Sequence, residues 1–121
     1  MPNWTLPSQA ASVPLARRLA IEALPGLAPE SLEAVALVVS ELVTNCVRHA
    51  GTEVRLMVQR RGGEVRVEVS DSGSGVPTLQ HPTPQQPHGR GLQVVDSLSQ
   101  TWGIVPASSN EGKTIWCALA V

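Results

Sequence analysis

Apolar residues recur at three- and four-residue steps through Leu32, Val35, Ala36, Val39, Leu42, Val43, Cys46, Val47 and Ala50. The stripe predicts one long amphipathic helix over residues 29–49, opened by Pro29 and Glu30, with Gly51 just past its end. A shorter helix is expected over residues 13–24, where Leu15, Ala16, Leu19, Ala20, Ala23 and Leu24 share a face. Ser12 is its expected cap, Pro14 suits its first turn, and Pro25 with Gly26 ends it.

Elsewhere the period is two. Val54, Leu56 and Val58 alternate with Arg55, Met57 and Gln59, and Val65, Val67 and Val69 alternate with Arg66, Glu68 and Ser70. Across Arg61, Gly62 and Gly63 these form a hairpin with one wet face. Trp4, Thr5 and Leu6, stopped by Pro7, read as an edge strand, and residues 101–105 and 113–121 as a final hairpin. Because only one strand face is apolar, helices must cover that side, which predicts a two-layer α+β sandwich and argues against a doubly wound parallel sheet. Between residues 71 and 91 no regular element is expected, given Pro77, Pro82, Pro84 and Pro87, and residues 76–89 suit a mobile lid. A short helix is expected over residues 92–98.

Composition narrows the classes. At 121 residues the chain is expected to be one domain, residues 1–121, large enough for a core without disulfide or metal staples. A formal net charge of -1 gives no electrostatic case for nucleic acid or a membrane surface. The longest apolar run is too short to span a bilayer, and the start does not read as a signal peptide, so the expected compartment is the cytoplasm. Cys46 and Cys117 read as buried free thiols. With no Phe or Tyr the core must be aliphatic, and the three Trp residues are its only large rings.

Glu41, Asn45 and His49 follow one another at four-residue spacing on the long helix, stacking a carboxylate, a carboxamide and an imidazole along one flank. Most such rows are solvated faces; what surrounds this one makes it a candidate site. Asp71 leaves the second strand into Ser72, Gly73, Ser74 and Gly75. An ionised carboxylate only accepts, so it would favour adenine's amino group over guanine's carbonyl, and the glycines let backbone pass against a base. His88, Gly89, Arg90, Gly91 and Leu92 lead into a helix start, whose free N–H groups and dipole suit phosphates. Gly112, Lys113 and Thr114 lack the upstream glycine and following helix of a Walker loop and open a strand instead.

In order and spacing these four segments resemble the N box and the three glycine boxes of the GHKL ATPase superfamily, which includes gyrase, histidine kinases and a mismatch-repair ATPase. Within it, Glu41-Leu42-Val43-Thr44-Asn45, Arg48-His49-Ala50, Gly89-Arg90-Gly91-Leu92 and Gly112-Lys113-Thr114-Ile115-Trp116 look most like small anti-sigma-factor serine/threonine kinases and actinobacterial ATP-binding regulators. The resemblance covers residues 4–121.

It implies a mixed, mostly antiparallel sheet covered on one face by helices, with ATP and Mg2+ as cofactors. Asn45 would be the magnesium ligand and Glu41 the general base. Asp71 would read adenine, with Gly73, Gly75 and Thr114 around the base; Gly89, Arg90, Gly91 and Leu92 would hold phosphates, and His49 would line the pocket. The implied activity is phosphorylation of an anti-sigma-factor antagonist on serine, with that antagonist, a sigma factor and a second copy of the chain as partners. A nucleotide-driven switch without kinase activity, and a binding module with a dead site, are the alternatives the motifs leave open.

Overall fold

The computed structural model describes residues 2–49, 53–71, 87–106 and 112–121. Along the chain lie β1 (Asn3–Pro7), α1 (Ser12–Glu22), α2 (Pro29–His49), β2 (Glu53–Arg61), β3 (Glu64–Asp71), α3 (Pro87–Leu98), β4 (Thr101–Pro106) and β5 (Lys113–Ala120). The strands form one sheet in the order β1-β2-β3-β5-β4, antiparallel at every pairing. This is the expected α+β class, with an antiparallel sheet in place of a mixed one.

Strand alternation builds the lower half of the core. Val54, Leu56 and Val58 of β2, Val65, Val67 and Val69 of β3, and Ile115, Cys117 and Leu119 of β5 are buried, while their sequence neighbours are not, apart from Ala118. Register aligns the rows, pairing Leu56 with Val69, Val69 with Ile115 and Val67 with Cys117. From above, α2 contributes Val35, Val38, Val39, Leu42, Val43 and Cys46, all fully buried. Each buried Val or Leu is worth about 1.5–3 kcal/mol relative to exposure, so the α2 stripe and the strand rows hold the two layers together. Helix α2 packs on β2 and β3, with α1 and α3 against it, and α3 sends Val95 into the core.

Three local features differ from expectation. Ser12 does not cap α1: Ala11 holds the cap position, and the Ser12 hydroxyl donates to the Pro7 carbonyl at 2.6 Å, tying the helix start to β1. Helix α1 stops at Glu22, two residues early, and the chain turns at Gly26 with φ +86. Helix α3 begins at Pro87, five residues before the expected start, so Gly89 and Gly91 belong to a helix rather than to the loop before it. Proline at the opening of a helix loses no hydrogen bond and arrives with φ preset, which offsets the two glycines.

Candidate functional site

Along β3 the inward row is Val65, Val67, Val69 and then Asp71, so the carboxylate occupies what would be the next core position. Its side chain is only 4% exposed. A charge so placed needs partners, and residue Lys113 at the start of β5 supplies two. Its backbone N–H donates to Asp71 Oδ1 at 3.2 Å, and its ammonium lies 3.2 Å from Oδ2.

Gly112 makes this approach possible. It has φ +99, and a Cβ there would fall 2.7 Å from Asp71 Oδ1 and closer still to the Asp71 carbonyl oxygen. No other residue takes that conformation and leaves that space without strain.

Helix α2 meets this corner through its second half. Burial pushes the Cys46 thiol up to about 12; the Asp71 charge pushes the same way and Lys113 pulls it down, so the corner lies within electrostatic reach of Cys46. Asn45, the residue before it, is only 8% exposed, an unusual setting for a carboxamide. Glu41, one turn earlier, is half-buried and opens onto a groove shared with Ser40, Leu37 and Leu98. Asp71 thus lies within electrostatic reach of Cys46 on the helix-facing side of the sheet, and Asn45, also buried, stands beside Cys46 in the chain of α2.

Thr114 does not join them. Strand alternation turns it to the open face, where its hydroxyl is 2.7 Å from that of Ser70, while Lys113 faces Asp71. Lys113 is thus the residue the sequence reading missed. The signal was available, since Ile115, Cys117 and Leu119 fix the inward parity of β5 and Lys113 shares it. Leu92 is half-buried on α3. Gly73, Gly75 and most of the expected lid, and the side chains of His49 and residues 87–91, lie outside the described residues.

A buried carboxamide at Asn45 has the donor chemistry to share a magnesium ion with a nucleotide. Among the described residues no three His, Cys, Asp or Glu side chains cluster to cage an ion. Magnesium prefers oxygen, keeps several waters and is commonly held by one or two protein groups plus substrate phosphates, a role one carboxamide oxygen can share.

The sandwich matches a known class. Residues 6–119 match the histidine kinase-like ATPase domain, and the chain belongs to that family. It is a GHKL-type ATPase domain, hence a nucleotide-binding one, with the antiparallel sheet and three helices described above. No curated protein matches the chain. Among the described residues no helix is long and apolar enough to cross a membrane.

Proposed function

We propose that this domain binds ATP with Mg2+ and transfers the terminal phosphate to a serine of a partner protein. What supports the reading is a buried Asp71 within electrostatic reach of Cys46, a buried Asn45 next to that cysteine in the chain, and Glu41 one helical turn from Asn45 and open to the surface. Asp71, acceptor-only when ionised, reads the adenine amino group. The Asn45 carboxamide oxygen would help hold the metal, which would supply charge neutralisation to the transferring phosphoryl group. Glu41 would take the proton of the attacking hydroxyl, and the unpaired N–H groups at the opening of α3 would suit the phosphates.

The open position of Glu41 favours a protein acceptor over water, because water needs no groove. The resemblance supports, as partners in this proposal, an anti-sigma-factor antagonist as acceptor and a sigma factor as the regulated protein, in the cytoplasm, with the kinase acting as a homodimer. Calorimetric titration with ATP and GTP, with and without magnesium, tests the ligand. Labelled ATP with candidate antagonist proteins tests the transfer: label on serine supports the kinase, and free phosphate alone replaces it with an ATP-hydrolysing switch. Glu41→Ala should abolish transfer and spare ATP binding; lost binding would refute the assigned role of Glu41.

A further inference from the structure

A hollow of about 690 Å³ runs over the outer face of α2, lined by Arg17 of α1, by Glu30, Glu33, Ala34, Ala36, Leu37, Ser40 and Glu41 of α2, and by Leu98 of α3. Its apolar part is real surface: Leu37 is 45% exposed and Leu98 36% exposed. Its charge is one-sided, three carboxylates against one guanidinium, and that guanidinium is tied down by the Arg17 Nη1 to Ser40 Oγ bond of 2.9 Å. Glu41 is therefore not an isolated base. It stands at one end of a groove whose far end is acidic.

We infer that this groove docks the acceptor segment of the substrate protein, an extended, cationic stretch with one apolar anchor, and delivers its hydroxyl to Glu41. For what its occupant does, the inference rests on the phosphotransfer reading above. Two features argue for this occupant. Opposite charge matches the glutamates, and an apolar side chain covers Leu37 and Leu98.

The spacing of the groove sets the spacing of the ligand. Leu37 precedes Glu41 by about 6 Å along the helix axis, Glu33 by about 12 Å and Glu30 by about 16 Å. At about 3.3 Å per extended residue, the apolar anchor falls about two residues from the acceptor serine and the basic residues about four to five from it, on the same side.

The test uses the whole chain without nucleotide and four synthetic peptides, each with a central serine. Two carry a leucine two residues away and arginines four and five residues away, on the N-terminal side in one and the C-terminal side in the other. The remaining two have glutamates for the arginines. One arginine peptide should bind at least about tenfold more tightly than its glutamate counterpart at low salt, and Glu30→Lys with Glu33→Lys should erase or invert that preference while leaving ATP affinity unchanged. Equal binding of all four peptides, or a preference that survives the double reversal, would overturn the proposal.

Transfer from labelled ATP is read separately. Charge-selective docking without transfer would sink the kinase reading and leave the groove assignment standing. Equal transfer to arginine and glutamate peptides would do the reverse.

Discussion

At the Asp71 corner both carboxylate oxygens are engaged by one residue and a glycine fixes the backbone, whereas the groove at Glu41 holds glutamates open to solvent over an apolar floor. The corner is built from strand register, so each of its parts is held by the sheet. The groove is built from side chains on helix surfaces, tied by the Arg17 to Ser40 bond and by the bond from the Ser40 hydroxyl to the Ala36 carbonyl. A site that must recognise one rigid base benefits from the first construction. A surface that must accept a flexible protein segment tolerates the second.

Mutations should separate the two regions by size of effect. Gly112→Ala attacks the corner hardest, since it strains a left-handed backbone and drives a methyl group into Asp71. A loss of about 3 kcal/mol in urea unfolding is expected, together with loss of ATP binding in calorimetry. A tolerated alanine there would mean the corner is far softer than its geometry indicates.

Alkaline pH probes the core beneath the corner. Burial pushes the thiols of Cys46 and Cys117 up to about 12 and about 11 from an ordinary value of 9.0, so the unfolded chain releases these protons first. Stability therefore holds below pH 9 and falls as pH climbs through 9 toward the folded values, by about 1.4 kcal/mol per thiol at pH 10. Unfolding of the Cys46→Ala, Cys117→Ala double variant should lose much of that slope; an unchanged slope would place the titration elsewhere.

Asp71→Asn leaves the Lys113 ammonium without its partner, but a side chain 32% exposed can turn toward water. About 1–2 kcal/mol of stability should go, less than for a fully buried pair, and the preference for ATP over GTP should narrow. An ATP/GTP ratio untouched by the change would remove Asp71 from base recognition. Smallest is Arg17→Met in the groove, expected to cost about 0.5–1 kcal/mol in thermal unfolding because the half-buried bond to Ser40 is lost while the apolar stem is kept.

What could be read from the chain divides along the same line. The two periodicities placed α2 at its observed bounds and gave the β2 and β3 hairpin, because a one-sided core imposes its spacing on every residue it buries. The start of α3 was missed because Gly89 and Gly91 argue locally for a loop, whereas helix α3 is held by packing of residues such as Val95 further along. The exchange of Thr114 for Lys113 was missed because a strand's parity is visible only when its buried residues are counted backward from Leu119. Ser12 misled for a related reason: its hydroxyl has a tertiary partner, Pro7, that no local rule supplies.

The chain has no tyrosine or phenylalanine, so its ultraviolet emission comes from three indoles, none described at the Asp71 corner. Trp116 lies on the open sheet face beneath the Arg66 guanidinium, 4.5 Å from ring centroid to cation, in space left by the missing side chain of Gly103. Trp102 donates its indole N–H to Asp96 at 2.7 Å, joining β4 to α3. In variants that keep one indole, fluorescence thus offers two separate windows: quenching or a blue shift of Trp116 would register association across the outer sheet, and a change at Trp102 would register movement of α3 against its neighbouring strand.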